Sequence, residues 1–306
     1  MGIKQDVLQM IHIVKGSIVT VEADAIVNST DTSFSASGGI DYAVHKAAGG
    51  KLAQTLQAEH KIKEGEAIIT PAFEIKTAKK IIHTVGPKWK NGFCAEEYIL
   101  ATCYRNSLTL ALANHCESIA FPCISVGKNG FPEKRAAEIA LNTVFYMLQA
   151  MEESCLNCVF FVCSSEQQEK HYKEQLIRMI IGEFLRLYSP ESYHMVPSTE
   201  KYYDYMGMLA KLEWGDPGQY NVYCKNFTGS DGGKFSEESN VYNKYALSMD
   251  KWDYSTCLSY IIYLQRAAYW SGGMEAPHYD QWMNGTVRKV LMRMQELRNE
   301  SAKIMK

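Results

Sequence analysis

A glycine-bearing loop between an apolar run and a helical pattern contains the residue types that could bind phosphate. Residues 25–27 form an apolar, β-prone run that stops at Asn28, and the chain continues through small and polar residues to Gly38 and Gly39. A helical pattern begins near Asp41. A strand that leads through glycines into a helix N-terminus presents backbone N–H groups to an anion. The spacing therefore predicts a phosphate site at residues 38–40.

A second glycine-bearing loop has the same setting, because it also follows a β-rich run and precedes a helical pattern. Its residues are Ser125, Val126, Gly127, Lys128, Asn129, Gly130 and Phe131. A glycine pair alone is usually only a turn, so the residues by themselves leave a turn and an anion site both open. Lys128 has two interpretations, since it could contact a phosphate as a point charge or be the hydrated tip of the loop.

Asp41 stands at the start of this helical pattern, and His45 lies one helical turn later on the same face of the helix. A carboxylate in this position could act beside a bound phosphate, with His45 within reach of the carboxylate or of the ligand. The structural alternative is that Asp41 caps the helix, which is a common use of Asp near a helix N-terminus. His45 could equally be a structural histidine.

These segments resemble the macrodomain family. Residues 16–19 resemble its Gly-Asp-Ile-Thr turn, residues 28–31 its Asn-Ala-Ala-Asn strand end, and residues 38–45 its glycine run leading to Val-Asp-Gly-Ala-Ile-His. Three later blocks are also similar to the family: residues 81–87, 103–108 and 118–132. Several ordered blocks at family spacing are far more specific than one glycine motif, and they cover roughly the first 180 residues.

The resemblance implies an ADP-ribose site in which the two loops clamp the diphosphate from opposite sides. Ile40 belongs to the first loop, and Ser17 and Ile18 belong to the turn at the adenine end. In the branch with this Asp and His, the resemblance further implies hydrolysis of ADP-ribosyl linkages or of O-acetyl-ADP-ribose. Asp41 would position or deprotonate a water beside the distal ribose. The resemblance implies neither a metal nor a cofactor.

The chain departs from the family pattern at several positions, and its distal chemistry matches the pattern better than its adenine end does. Ser17 replaces the usual Asp at the adenine end, and Asp31 replaces the second Asn, near the distal ribose. Further replacements are Ala36 and Ser37 for glycines, Tyr42 for a small residue, Asn129 for an aromatic, and residues 164–165 for a stacking Phe.

Asp31 also has a potential catalytic role. Asp31 and Asp41 would place two carboxylates in one site, which predicts a raised pKa for at least one of them. A protonated carboxylate could then donate a hydrogen bond as the missing Asn does. The competing outcome is an altered substrate or no turnover.

Two other polar residues favour structural interpretations. Asn28 is predicted to anchor the strand end through the backbone, because Asn readily bonds its own neighbouring backbone. His83 lies in the apolar run 80–85 and is predicted to be a core histidine without access to the ligand.

The composition limits the class of protein. The chain has 306 residues, 46% of them hydrophobic and 22% charged, with a formal net charge of −2. This balance is typical of globular proteins and gives no electrostatic reason to expect nucleic acid or a membrane as a primary partner.

No apolar run reaches the ~18 residues of a membrane helix, so a cytoplasmic protein is expected. Among the nine cysteines, only Cys155 and Cys158 have a metal-like spacing. They lack a second pair, which favours buried free thiols over zinc.

The order of the elements predicts a three-layer α/β/α sandwich with a mixed sheet over residues 1–180. The predicted strands are 7–14, 25–28, 67–70, 80–85, 118–124 and 159–163, and the predicted helices are 43–57, 96–113 and 132–151. Ligands in such sheets lie outside the carboxyl ends of the strands. Residues 188–306 are rich in aromatic residues and predict a second, mainly helical domain, with helices at 256–270 and 286–303.

Three functions remain open from the sequence. The first is a hydrolase that removes mono-ADP-ribose from proteins or deacetylates O-acetyl-ADP-ribose. The second is a module that binds ADP-ribose without hydrolysing it. The third is an interaction protein in which the macrodomain is vestigial and the aromatic second domain binds a protein partner.

Overall fold

The fold was taken from a computed structural model of the chain. The structure describes residues 6–36, 38–59, 61–151, 154–187, 208, 249–252, 257, 260 and 286–304. The chain divides into two compact units, Met1–Leu176 and Ile177–Lys306. Each unit is described by itself.

The first unit is built around a six-stranded mixed sheet. Its strands are β1 (Ile11–Lys15), β2 (Ala23–Thr30), β3 (Ala67–Pro71), β4 (Ala78–Val85), β5 (Ser118–Pro122) and β6 (Cys158–Cys163), in the spatial order β1-β6-β5-β2-β4-β3. All neighbours are parallel except β3 and β4, which are antiparallel. The central strands read as apolar runs because helices cover both faces of a parallel sheet.

The helices of this unit are α1 (Gly39–Ala48), α2 (Gly50–Ala58), α3 (Glu96–Ala113) and α4 (Glu133–Gln149), followed by α5 (Glu166–Leu187), which continues into the second unit. The apolar faces of α1 and α2 pack on one side of the sheet against side chains such as Ile26 and Ile81. On the other side, Tyr104 of α3 contacts the rings of Phe121 and Phe161. The predicted three-layer sandwich with a mixed sheet is confirmed for this unit.

Two element predictions differ from the structure. The predicted strand 7–14 starts only at Ile11, because residues 7–10 form a turn in which the Met10 N–H bonds the Val7 carbonyl at 3.2 Å. The predicted helix 43–57 is two helices. They are separated at Gly49, where a φ of 78° in the left-handed region ends α1. A Cβ at Gly49 would lie 2.5 Å from the Glu74 carboxylate, so the break is also sterically specified.

Only parts of the second unit are described. A 3-10 turn (Met249–Lys251) leads to Trp252, whose ring lies 5.3 Å from that of Tyr260. Helix α6 (Thr286–Ile304) agrees with the predicted helix 286–303, and its Arg293 Nε donates to the Trp252 carbonyl at 3.3 Å. Most of the predicted helix 256–270 lies outside the described residues, as does most of the aromatic-rich segment. The mainly helical character of residues 188–306 therefore stays a prediction.

The described cysteines are all free thiols. The buried ones are Cys103, Cys116, Cys123, Cys163 and Cys257. Cys155 is exposed and Cys158 half-buried, so the prediction of buried thiols is wrong for this pair. Both residues sit at or just before the start of β6, where the strand enters the sheet. Within the described ranges, no helix is long and apolar enough to span a bilayer.

Candidate functional site

The candidate catalytic residues meet near the carboxyl end of β2. Asn28 of β2 is fully buried, and its side-chain Nδ2 donates to Oδ1 of Asp41 at 2.8 Å. Asp41 is the third residue of α1 and is only 3% exposed. The loop between β2 and α1 thus places the first turn of the helix beside the end of the strand. The structure therefore brings together Asn28 and Asp41, which are separated by the whole loop in sequence.

Asp41 does not cap its helix, which excludes the structural alternative raised by the sequence. The N-cap position is Gly38, and no side chain makes a capping hydrogen bond there. The carboxylate instead accepts the Asn28 amide, and its Oδ1 lies 3.5 Å from Nε2 of His45. His45 is on the same helical face and is also nearly buried, with 10% of its side chain exposed.

Several buried polar atoms around this contact have no hydrogen-bond partner within the described residues. They are Oδ2 of Asp41, Oδ1 of Asn28 and Nε2 of His45. Buried polar groups are normally paired, so a cluster of orphaned atoms is typical of a site that binds a polar molecule. The cluster combines a carboxylate oxygen, an amide oxygen and an imidazole nitrogen. These groups can accept hydrogen bonds from water or hydroxyl groups.

The predictions for Asn28 and His83 need correction. The Asn28 side chain does not anchor the backbone, because it spans Asp41 and Nδ1 of His83, the latter at 3.2 Å. His83 is buried as predicted, but it is linked to the site through this amide. Its Nε2 lies 3.0 Å from Oγ1 of Thr70. Burial, with a smaller contribution from His45, lowers the pKa of His83 to about 3. The imidazole is therefore neutral at physiological pH.

Asp31 is held by its own loop. Its carboxylate accepts the Ser33 N–H at 2.8 Å, the Ser33 hydroxyl at 2.7 Å and the Ser35 hydroxyl. Partial burial opposes ionisation, but the hydrogen bonds from Ser35 and Ser33 dominate and hold the pKa of Asp31 well below its usual range. The expectation that a raised pKa keeps one carboxylate protonated is wrong for Asp31. This side chain is an acceptor with satisfied bonds, and it cannot donate as an Asn does.

The first glycine loop opens directly into α1. Gly38 and Gly39 both have positive φ, and nothing lies within 4 Å of the position that a Cβ would occupy on either residue. The N–H groups of Gly39, Ile40 and Asp41 lie in the first helical turn, where no intrahelical carbonyl is available. No side chain caps them. This end of α1 therefore offers backbone donors and the positive end of the helix dipole. Ser37 lies outside the described residues.

The second loop connects β5 to α4 and is closed by its own backbone. Gly130 N–H bonds the Gly127 carbonyl at 2.9 Å, and Phe131 N–H bonds the Ser125 carbonyl at 3.0 Å. Among the described backbone contacts, the N–H groups of Ser125, Gly127 and Lys128 have no acceptor. A compact turn with unpaired donors is typical of an anion-binding nest. Val126 is half-buried beside them.

Other residues of the second loop have structural or exposed positions. The Asn129 side-chain amide donates to the Gly86 carbonyl at 2.9 Å, which fastens the loop to the end of β4. Phe131 is buried against Trp89, with ring centroids 4.6 Å apart. Lys128 is exposed, as expected for a hydrated loop tip. Asn129 is thus engaged in the protein, in place of the aromatic residue of the family pattern.

The turn assigned to the adenine end lies next to the end of β6. Gly16 N–H bonds the Cys163 carbonyl at 2.9 Å, and the Ser17 carbonyl accepts both the N–H and the hydroxyl of Thr20. Ser17 is exposed and Ile18 is buried, so Ser17 presents a hydroxyl where the family pattern has a carboxylate.

Sequence reasoning missed Thr70 entirely and gave His83 no link to the site. Thr70 carries no motif, and its position on β3 becomes relevant only through the antiparallel pairing of β3 with β4. One signal was present in the sequence: His83 is a titratable residue within an otherwise apolar run, and a buried His requires partners.

Comparison with known proteins agrees with this geometry. The macro domain family model matches residues 27–140. A macro domain-containing protein of Chlorobaculum tepidum is 43% identical over 167 residues, which are 55% of this chain and 95% of that protein. An O-acetyl-ADP-ribose deacetylase of Citrobacter rodentium is 42% identical over 172 residues, covering 54% of this chain and 94% of the enzyme.

Solved structures of macrodomains are also similar to this chain. The Oceanobacillus iheyensis macrodomain with MES bound is 37% identical, with a TM-score of 0.53, and the match covers 56% of this chain and 92% of that chain. The Trypanosoma brucei macrodomain in complex with ADP-ribose is 32% identical, with a TM-score of 0.51, covering 55% and 69% of the two chains. Because the sheet order, the two loops and these similarities agree, the chain belongs to the macrodomain family through its N-terminal unit.

Proposed function

We propose that this protein is a hydrolase that removes mono-ADP-ribose from modified proteins or deacetylates O-acetyl-ADP-ribose. The observation that carries the proposal is the buried Asp41 carboxylate. Its Oδ1 is fixed by Asn28, and its Oδ2 has no partner among the described residues. A carboxylate held in this way can orient one water molecule without rearranging.

The two loops supply the binding half of the proposal. The N-terminus of α1 and the nest at residues 125–131 both present backbone N–H groups without carbonyl acceptors in the described structure. A diphosphate carries two negative charges, and backbone donors can bind it without long basic side chains. The similarity to a macrodomain solved in complex with ADP-ribose supports ADP-ribose as the ligand.

The proposed chemistry is attack by water near Asp41. In deacetylation, the water oxygen bonds the acetyl carbonyl carbon, the ester C–O bond breaks, and the ribose oxygen leaves as a hydroxyl by taking the proton that Asp41 accepted from the water. In removal of ADP-ribose from a carboxylate side chain, the water oxygen bonds the anomeric carbon and the protein carboxylate leaves. In both cases Asp41 Oδ2 accepts the proton of the attacking water. The ~42% identity to O-acetyl-ADP-ribose deacetylases supports this class of reaction.

The decisive experiment is Asp41→Ala, assayed on O-acetyl-ADP-ribose and on a protein mono-ADP-ribosylated at Glu. We expect turnover to fall by ~10²–10⁴-fold, which is the usual contribution of a proton-transfer group. The affinity for free ADP-ribose, measured by calorimetry, should change by less than about threefold, because the carboxylate acts mainly in the transition state.

Asp24→Ala is a matched control. Asp24 is also on β2, but near the opposite end of the strand, where it pairs with Lys79 at 2.7 Å. It should leave turnover unchanged. Wild-type turnover in Asp41→Ala would refute the assignment, whereas ADP-ribose binding without any turnover in the wild-type protein would identify a reader module.

An isotope experiment separates the two reactions. Hydrolysis in water enriched in ¹⁸O places the label in acetate if the acetyl carbonyl is attacked. In a protein modified at Glu, the label appears in the released Glu carboxylate if the ester carbonyl carbon is attacked, and it is absent from that carboxylate if the anomeric carbon is attacked. The position of the label therefore identifies the bond that is cleaved.

A further inference from the structure

A buried chain of hydrogen bonds extends from Asp41 away from the site. The Asn28 amide contacts Oδ1 of Asp41 at 2.8 Å and Nδ1 of His83 at 3.2 Å. Nε2 of His83 lies 3.0 Å from Oγ1 of Thr70, and the Thr70 hydroxyl donates to the Pro71 carbonyl at 3.1 Å. This chain of hydrogen bonds thus connects three strands, β2, β4 and β3, to the first turn of α1.

Only one assignment of donors and acceptors satisfies this chain of hydrogen bonds. A carboxylate accepts, so the Asn28 amide must turn its NH₂ group toward Asp41, and the second hydrogen of that group points to His83. Nδ1 of His83 is then the acceptor, and the ring proton is on Nε2. Nε2–H donates to Thr70, whose own hydrogen is given to the Pro71 carbonyl. Rotating the Asn28 amide by 180° would place its oxygen against the carboxylate.

Burial makes this arrangement rigid. Asn28 and His83 are fully buried and Thr70 is 3% exposed, so water has little access to replace a missing bond. An unpaired buried donor or acceptor costs about 1–3 kcal/mol, which is enough to favour one orientation of each group. The low pKa of His83, about 3 because of its burial, keeps the imidazole neutral, as the acceptor role of Nδ1 requires.

We propose that His83 and Thr70 are positioning residues, which hold the Asn28 amide in the orientation that fixes the Asp41 carboxylate toward the reacting water. The catalytic part of this inference rests on the proposed function. Within the described residues, the hydrogen-bond partners of His83 are Asn28 and Thr70, and its ring also lies 6.2 Å from that of Phe34 in the loop after β2. His83 therefore acts on Asp41 through Asn28. The neutral Nε2–H tautomer is the state that this role demands.

The kinetic test uses Thr70→Val and His83→Phe in the full-length protein. We expect kcat to fall by roughly tenfold in Thr70→Val and by roughly 10²-fold in His83→Phe, in line with the loss of one or two buried hydrogen bonds. KM and the affinity for ADP-ribose should stay within about threefold, because the groups orient the catalytic carboxylate and do not hold the diphosphate.

Thr84→Val is the matched control. Thr84 is a fully buried threonine on β4, and its hydroxyl donates to the Glu66 carbonyl at 2.9 Å, outside the chain of bonds. It should melt at a lower temperature than wild type, as Thr70→Val should, but keep wild-type kcat. His83→Asn should restore part of the kcat lost in His83→Phe, because its amide oxygen can replace Nδ1 as the acceptor. Equal kcat losses in both threonine variants would reduce the role to general stability and overturn the inference.

A second test does not require turnover. In ¹⁵N-labelled protein, imidazole nitrogen shifts should show His83 as the neutral Nε2–H tautomer at pH 7, with the signal assigned by its loss in His83→Phe. The side-chain NH₂ signals of Asn28 should shift in His83→Phe and Thr70→Val but not in Thr84→Val. An Nδ1–H tautomer, a cationic ring or unshifted Asn28 signals would overturn the inference. If wild type has no turnover, the hydrolase proposal fails, and this spectrum still decides whether His83 positions Asn28.

Discussion

The end of β4 approaches the second loop so closely that Gly86 is sterically required. A Cβ added at Gly86 would lie 2.2 Å from Oγ of Ser125 and 2.7 Å from Cγ2 of Ile124. Both distances are shorter than real Cβ atoms permit, so part of the second loop must shift. Ile124 is fully buried, and Ser125 already has a positive φ of 67°. Gly86→Ala should therefore displace the loop that presents the second set of backbone donors.

The magnitude follows from these contacts. Overpacking a buried site costs typically 1–3 kcal/mol, and two contacts under 3.0 Å place Gly86→Ala at about 2–3 kcal/mol. At about 2–4 °C per kcal/mol for a domain of this size, the melting temperature should fall by about 4–12 °C. A displaced loop loses at least one hydrogen bond to a charged phosphate. That bond contributes about 1.5–3 kcal/mol, so ADP-ribose affinity should fall by roughly 10–100-fold.

Thermal melting and calorimetry with ADP-ribose measure the two effects, and Gly50→Ala is the control. Gly50 begins α2, and nothing lies within 4 Å of its added Cβ, so this variant should match wild type in both assays. Ser125→Gly in the Gly86→Ala background removes the 2.2 Å contact. It should recover about half of the decrease in melting temperature. Gly86→Ala with unchanged affinity would refute the argument that β4 sets the position of the phosphate loop.

Four further outcomes are expected. Because the folded-state pKa of His83 is lowered from 6.5 to about 3, the unfolded chain binds more protons between these values. The melting temperature of wild type should therefore fall as the pH drops from about 6.5 toward 3, and this part of the dependence should be smaller in His83→Phe. Asp31→Asn should leave hydrolysis unchanged or raise it, and a large loss in the turnover assay would instead assign a catalytic role to the carboxylate. Glu96 accepts four backbone N–H groups at residues 90–94. Although burial opposes ionisation, these bonds lower the pKa of Glu96 to about 2, so Glu96→Gln should lower the melting temperature at pH 7, and the difference from wild type should shrink as the pH falls from about 4.5 toward 2. Truncation after Leu187, where α5 ends, should preserve hydrolysis of O-acetyl-ADP-ribose but reduce activity on a modified protein if residues 188–306 select the target. Loss of both activities in a fragment with native circular dichroism would contradict that separation.

Local sequence patterns were sufficient for the order of the elements in the first unit. The apolar run before Asn28, the glycines after it and the helical spacing of Asp41 and His45 predicted a strand, an open loop and a helix, and the structure has all three. These patterns are informative because strand and helix periodicities and glycine turns depend on near neighbours in the chain. The sequence also singled out Asp41, because residues 38–45 resemble the family's glycine run and the helix that follows it.

The tertiary structure decided the partners of those residues. The pairing of Asn28 with His83 follows from the parallel register of β2 with β4, and the place of Thr70 follows from the antiparallel register of β3 with β4. Neither register is encoded by a local motif. It emerges when the apolar faces of all strands are buried together. Local composition was also insufficient at Asp31. The proximity of Asp41 predicted a raised pKa for at least one of the two carboxylates, but hydrogen bonds from two serine side chains lower the pKa of Asp31. The sequence by itself thus determined which residues could do chemistry, whereas long-range packing fixed their hydrogen bonds and orientation.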